Sequence, residues 1–361
     1  MAKAPSSLPL RDLVTMLLPG TMSAEWRIRE DRQWCHVTPV DYPSRVQGWK
    51  LHISATWLSA PVVLYQAAQV LIEHQCAFKV AKDLHQVLEL TSKRTEPAQA
   101  GKVITVYPRD DAQLRTLAPL LDQATAGLPG PVILSDRPYR EGSLVHYRYG
   151  AFAGVPVLNN DGSMEARLEA PDGRLVEDQR RPWFCPPAWA APPFEEAAPR
   201  QPADQPAKAK PVLLGGRYRV ERAIVRSGRG GVYRAVDQEV GDRVIVKQAR
   251  AHISGLNLTG DARDALRHEA AMLEALAGLV PAKRDSFDQG QHSFLVMEEL
   301  PGQVLADWAR QWWRPWRPER PPSPVVGTTA SGGAAGRRGP GIGDPAGGPP
   351  GRGTPAGLRV P

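Results

Sequence analysis

Two stretches of alternating residues hold side chains that could act on a phosphate. In "GWKLHISA" (48–55), Lys50 and His52 alternate with Trp49, Leu51 and Ile53. Successive strand side chains point to opposite faces, so a strand here sets Lys50 and His52 on one face and the apolar groups on the other. "CAFKVAKD" (76–83) repeats the design, with Phe78 and Val80 facing one way and Lys79 the other. Arg137 and Arg140 follow, then His146 and Arg148 at strand spacing; Lys82, Lys93 and Arg94 are further basic candidates. A cleft lined in this way would hold a phosphate, the arginines bidentately. The chemistry within reach is β-elimination from phosphoserine or phosphothreonine, which removes a weakly acidic α-proton and expels phosphate. A lysine can be the base if neighbouring cations and desolvation lower its pKa. A histidine can protonate the departing phosphate. No metal or cofactor is needed. For any single residue of the set the plain alternative is a polar strand face. Cys76 and Trp49 read as core, and His74 and His85 as helix-surface residues.

A second set lies between Ser227 and Glu299. Gly228, Gly230 and Gly231 make a turn whose backbone N–H groups could approach phosphates, and Lys247 in "VIVK" could reach them two strands along. Glu269 falls on the next helical stretch, where it could pair with Lys247. Met297 would then flank an adenine, with Glu298 and Glu299 in a hinge. This order and spacing resemble the first lobe of a protein kinase. Val225 and Ser227 stand at the first two glycine places of the GxGxxG pattern and only Gly230 keeps the third, which lowers the expected ATP affinity. Phosphoryl transfer also needs a catalytic aspartate and magnesium-binding aspartate and asparagine. After residue 300 there is no HRD-like or DFG-like stretch; Asp307 and Asp344 stand in other contexts. Kinase activity is therefore not expected, and no metal ligands are assigned.

Positioning these groups calls for an α+β fold. Residues 49–55, 76–81, 102–108, 131–136 and 144–150 have strand character; 60–74, 82–92 and 111–125 carry apolar residues at helical spacing. Asp110 or Asp111 can cap the last of these helices. From 151 to 190 the pattern weakens, with hairpin signals in "NNDG" and "APDG". The "RRPWFCPPAWAAPPF" cluster suits an extended segment packed on a surface. Four regions are expected: a lyase-like domain over 1–190, a linker over 191–211, an incomplete kinase-like lobe over 212–309, and a disordered Gly/Pro/Arg-rich tail over 310–361. The second domain should hold three antiparallel strands, a helix over 261–278 and a strand in "HSFLVMEEL". The tail has the composition of an out-of-frame reading of GC-rich DNA.

The totals agree with this division. A chain of 361 residues has room for two domains. Its 33 Gly and 36 Pro exceed globular usage and point to linkers or tails. A net charge of +7 suggests an anionic partner, although much of it falls in the tail. Cys35, Cys76 and Cys185 lack metal-binding spacing and read as reduced thiols of a cytoplasmic protein. No signal peptide or membrane span is expected: Arg11 and Asp12 break the N-terminal apolar run. A nucleic-acid partner is not expected either.

Residues 1–309 resemble the front of the class III lanthipeptide synthetases. The segments that carry this are "GWKLHISA", "FKVAKDL", "TVYPRDD", "GLPGPVILSDRPYREGSLVHYRYGAF" and "SGRGGVYRA". Members of that family join a phosphoserine/phosphothreonine lyase, a kinase-like domain and a cyclase-like domain. The first half also resembles bacterial effector phosphothreonine lyases, whose KxH motif corresponds to Lys50-Leu51-His52. The resemblance implies that Lys79 is the base and His52 the acid. It implies that Lys50, with arginines drawn from Arg137, Arg140 and Arg148, holds the phosphate. It also implies no cofactor for elimination, ATP at Gly228, Gly230, Gly231, Lys247 and Glu269, and a precursor peptide phosphorylated on Ser or Thr as partner. The expected function is that of a truncated synthetase that retains at most the elimination to dehydroalanine or dehydrobutyrine. Two other readings remain: an ATP-binding protein of the Ser/Thr kinase family, and a non-catalytic peptide-binding remnant.

Overall fold

The computed structural model describes residues 9–18, 23–43, 45–92, 95–96, 98–158, 164–194, 211–253, 260–303 and 305–312. Residues Met1–Pro301 group as one compact unit and Gly302–Pro361 as another. Most of the expected linker, the tail from 313 onward, the "NNDG" turn, Lys93 and Arg94 lie outside the described residues. The second unit contributes one described helix, within 305–312.

The first unit opens with α1 (Leu10–Leu17), β1 (Trp26–Glu30) and β2 (Trp34–Pro39). It continues through β3 (Gln47–Ile53), α2 (Ala60–Glu73), β4 (Ala77–Ala81), α3 (Leu84–Leu90), β5 (Ile104–Tyr107) and α4 (Asp111–Ala124). β6 (Arg137–Pro138) and β7 (Val145–Ala151) complete an antiparallel sheet in the order β1-β2-β4-β5-β3-β7-β6. Its register places Val37, Phe78, Val106 and Leu51 in one cross-strand row, all fully or almost fully buried. Each such side chain contributes roughly 1.5–3 kcal/mol on leaving water. The row packs with the apolar faces of α2 (Val63, Leu64, Ala67, Leu71) and α4 (Leu114, Leu117, Leu121).

Local chemistry starts these helices where the residues require. Asp83 and Asp110 each accept a backbone N–H three residues on, from Gln86 and Gln113, at 2.8 and 2.7 Å. The aromatic-proline segment lies against the core: Phe184 stacks on Trp49 at 6.3 Å, and the Trp49 indole N–H donates to the Ala191 carbonyl at 3.0 Å.

One local reading needs correction, and two elements went unread. Residues 131–136 are not a strand, because their backbone groups are spent elsewhere: the Ile133 N–H donates to His146 and the Asp136 N–H to the Ile133 carbonyl. The reading also missed the β1–β2 hairpin, where Asp31 accepts the backbone N–H groups of Gln33 and Trp34. The apolar run cut by Arg11 and Asp12 forms α1, with Leu10 and Val14 buried at helical spacing.

A three-stranded sheet follows: β8 (Val155–Leu158), β9 (Met164–Glu169) and β10 (Leu175–Glu177), with "APDG" at the β9–β10 turn. The third sheet comprises β11 (Leu213–Leu214), β12 (Tyr218–Ser227), β13 (Gly230–Asp237), β14 (Arg243–Ala249), β15 (Lys283–Gln289) and β16 (His292–Glu298). Its order is β11-β12-β13-β14-β16-β15, with α5 (Ala262–Ala275) packed on it. Asp261 and Asp264 form a capping box at the start of α5. β15 is a polar edge strand and carries no apolar alternation that the sequence could advertise. The described helix of the second unit is α6 (Leu305–Trp312). The fold is thus mixed α/β with more strand than helix.

Candidate active site

The seven-stranded sheet carries a polar row beside its apolar one. Antiparallel register puts His36, Lys79, Thr105, His52 and His146 opposite one another on β2, β4, β5, β3 and β7. Directly opposed side chains share a face, so Lys79 and His52 lie on the same face with one strand between them. Strand spacing separates their backbones by about 10 Å. Two residues along β3, Lys50 opposes Arg148 of β7 on that face.

This face is polar yet withdrawn from solvent: Lys50, His52, Thr105, His146 and Arg148 are all buried. His52 is held by Asp136, the Nδ1 to Oδ2 distance being 2.5 Å. The other oxygen of Asp136 takes a salt bridge from Lys102 Nζ at 2.9 Å and a hydrogen bond from the Ser135 hydroxyl at 2.7 Å. Burial disfavours the Asp136 anion, but the His52 and Lys102 groups around it hold the carboxyl well below the usual carboxylate range. Burial pulls the His52 imidazole down to about 3, with Asp136 opposing. At neutral pH the site therefore holds a neutral imidazole whose Nδ1–H donates to Asp136. Its Nε2 makes no hydrogen bond among the described residues.

The lysines are tuned in the same way. Burial takes Lys79 down to about 8, with Arg180 and Lys102 adding to the effect and Asp31 resisting it. Its ammonium lies 4.1 Å from the centre of the Trp34 ring. Burial, then the neighbouring Arg148, brings Lys50 to about 7. Lys50 donates to the Ala151 carbonyl at 2.7 Å. Arg148 is fixed by Asp178 at 2.6 Å and by the Gln179 carbonyl at 2.9 Å. His146 donates from Nδ1 to the Leu144 carbonyl at 3.0 Å and accepts the Ile133 N–H at Nε2, 3.2 Å away. That pattern requires the neutral tautomer, and burial lowers its pKa to about 4.

Lys50, His52, Lys79 and Arg148 thus come together on one face. Arg137 and Arg140 do not join them, which corrects the expectation. Arg137 opposes Tyr147, so register turns it to the other face, where its guanidinium lies 4.7 Å from the Phe184 ring. Arg140 is drawn to Asp122 of α4, Nε to Oδ2 2.5 Å. The sequence reading missed Lys102, Asp136 and Asp178, whose roles come from long-range contacts. Exposed Arg180 was passed over as well, although its charge is felt at both Lys79 and Lys102. A polar residue at the head of the β5 stretch was the only local signal for Lys102.

In the third sheet Lys247 forms an ion pair with Glu269. A cavity of about 240 Å³ is lined by Val225, Gly230, Gly231, Val232, Lys247 and Glu269, among others. Glycine is required at 230, since a Cβ there would sit 1.8 Å from the Gln248 carbonyl oxygen. Gly228 lies outside that lining and its carbonyl is taken by Arg250. Among the described residues no group of three or more His, Cys, Asp or Glu could hold a metal ion. No helix among them is long and apolar enough to cross a membrane.

Comparison with known proteins locates this arrangement. Residues 15–206 match the family model described as RamC, N-terminal domain, and so include both the polar and the apolar row of the first sheet. Over 283 residues the chain is 38% identical to the probable SapB synthase of Streptomyces coelicolor, an alignment that covers 78% of this chain. The aligned part spans 30% of that relative's length. With its matched region carrying Lys50, His52, Lys79, Lys102, Asp136 and Arg148 on one framework, the chain belongs to the RamC N-terminal-domain family of lanthipeptide-synthetase-like proteins.

Proposed function

We propose that the first part of the chain, residues 1–190, is a lyase domain that eliminates phosphate from phosphoserine or phosphothreonine in a peptide. The observation that carries this is the same-face row of Lys79, Thr105 and His52, with a carboxylate-bound imidazole at one end and a lysine of lowered pKa at the other. Lys50, Lys102 and Arg148 supply positive charge for the phosphate, and Arg180 is a further candidate. Neutral Lys79 takes the α-proton, and that electron pair becomes the Cα=Cβ bond as the Cβ–O bond breaks. The phosphate leaves with the bond's electrons and is protonated by His52. A bound phosphate dianion raises the His52 pKa from its low resting value, so the imidazole becomes an acid only when substrate is present. Asp136 on Nδ1 leaves Nε2 as the proton-transferring atom. The products are dehydroalanine or dehydrobutyrine and inorganic phosphate.

A second reading applies to residues 212–309. The Lys247–Glu269 pair, the close approach at Gly230 and the adjoining cavity favour a kinase-like lobe that binds a nucleotide such as ATP. For these residues binding is proposed, and phosphoryl transfer is not. In the full scheme a phosphorylated precursor peptide is the partner.

The test is direct. Purified chain is incubated with a phosphothreonine peptide, and mass spectrometry follows the loss of phosphoric acid from it. Elimination that vanishes in Lys79→Met and His52→Asn supports the assignment. A peptide that stays phosphorylated with the folded wild-type chain refutes it.

A further inference from the structure

Arg250, directly after β14, is almost fully buried, 4% exposed, yet it has no carboxylate partner among the described residues. A buried guanidinium is costly unless its donors find acceptors, and Arg250 finds backbone carbonyls on two sides of it. Nη1 donates to the Gly228 carbonyl at 3.0 Å, and the Arg250 N–H donates to the Arg229 carbonyl at 2.8 Å. Both acceptors belong to the glycine-rich turn. Nη2 donates to the Val132 carbonyl at 2.5 Å, 118 residues away in sequence.

Val132 belongs to the irregular segment that shapes the elimination site. The next residue, Ile133, gives its N–H to His146 Nε2 and receives the Asp136 N–H at its carbonyl, 3.3 Å away. Ser135 anchors to the Ala98 carbonyl at 3.1 Å and to Asp136 at 2.7 Å. Asp136 in turn holds His52. Residues 131–136 have no sheet partners of their own, so these hydrogen bonds, together with the Lys102 salt bridge and the start of β6 at Arg137, determine where the carboxylate sits.

We infer that Arg250 is a positioning residue for the elimination site, tying the glycine-rich turn of the third sheet to the segment that places Asp136 and, through it, His52. The inference rests on the elimination reading of that site. Arg250 touches no reacting atom; it works by fixing the Val132 carbonyl. Removing its fork leaves the Val132 and Gly228 carbonyls without their donors and frees the segment to shift. A displacement of a fraction of an ångström at a catalytic group costs about tenfold in turnover. The third sheet is then part of the site's support, and elimination depends on the integrity of the glycine-rich turn.

The test uses the full chain with a phosphothreonine peptide, comparing Arg250→Met, Arg250→Lys and, as a control at the far end of the preceding strand β14, the solvent-exposed Arg243→Met. The expected result is a fall in kcat of about tenfold for Arg250→Met, with KM little changed. Arg250→Lys, which keeps the charge and loses the fork, should lie between it and the wild type, and Arg243→Met should match the wild type. Amide hydrogen exchange at Ile133 and Asp136 should quicken in both Arg250 variants. Wild-type kcat in both variants, or an equal loss in Arg243→Met, overturns the inference. If Arg250→Met does not fold, Arg250→Lys decides alone on the same criterion. If the wild type eliminates nothing, the elimination reading fails by itself. The exchange rates then decide the tie separately: unchanged protection at Ile133 and Asp136 overturns it, and faster exchange upholds it.

Discussion

Replacing Asp136 by Asn removes one oxygen's negative charge while keeping the side chain's shape, in a site where that charge is shared by three donors. The carboxylate accepts from His52 Nδ1 at 2.5 Å, Lys102 Nζ at 2.9 Å and the Ser135 hydroxyl at 2.7 Å. In Asp136→Asn the amide oxygen can still serve Lys102 or Ser135, but the amide nitrogen faces His52. That nitrogen donates, so Nδ1 must become an acceptor and the ring proton moves to Nε2. The imidazolium that protonates the leaving phosphate then meets a donor where it had a carboxylate. The lost charge-assisted hydrogen bond is worth about 1.5–3 kcal/mol, which lowers kcat by roughly 10- to 150-fold at RT of about 0.6 kcal/mol. KM for the phosphopeptide should change little, because Lys50 and Arg148 keep their own partners. Stability should fall too, since Lys102 becomes a buried cation without its anion, a change costing about 3–5 kcal/mol where such pairs are broken. The assay is phosphate release from a phosphothreonine peptide, run below the variant's thermal midpoint with folding checked by circular dichroism. A folded Asp136→Asn chain that turns over within about threefold of wild type refutes the claim that this carboxylate orients the acid.

Lys79→Met should lower turnover by about 10²–10⁴-fold, the usual worth of a general base, and leave phosphopeptide binding measurable by fluorescence polarisation; loss of binding alone would reassign Lys79 to phosphate recognition. The pH profile of kcat/KM follows from two lysines with opposite requirements. Lys79, at about 8, must lose its proton, and Lys50, at about 7, must keep its own. Activity therefore rises with pH on the first account and falls on the second, giving a maximum near 7.5, between the two, as the free-enzyme values require. Lys50→Arg should remove the falling limb, since arginine stays charged; a flat profile would dismiss both assignments. Arg137→Met and Arg140→Met should keep kcat/KM within about twofold, because one guanidinium faces the aromatic core and the other pairs with Asp122. A loss beyond tenfold in either would mean that the phosphate reaches a different face of the sheet.

The period-two alternation around Lys50, His52 and Lys79 was enough to separate a polar face from an apolar one, since strand geometry leaves no other choice. It could not tell that these strands are two apart with β5 between them, because register belongs to pairs of strands. The same limit explains the two misplaced arginines. Arg137 and Arg140 lie close in sequence to His146 and Arg148, but β6 pairs so that Arg137 meets Tyr147 rather than His146. A shift of one residue in register would have exchanged the faces. The stretch 131–136 misled for another reason. Its apolar composition suits a strand, and only the hydrogen bonds made by its backbone to His146 and Arg250 show why it is none.

By itself, the sequence determined which side chains are available: lysines and histidines at alternating positions, a glycine-rich turn, a strand lysine and a helical glutamate. Local geometry dictates those faces, and Gly230 was legible as the third glycine of the turn pattern, while the Gln248 carbonyl that excludes any side chain there came from the neighbouring strand. The tertiary structure alone decided that Asp136 and Lys102 meet His52, and that Asp178 claims Arg148. It also brought Arg250 to Val132 across more than a hundred residues. The physical reason is that burial makes a charge costly unless a partner reaches it, and such partners come from whatever segment the fold brings alongside.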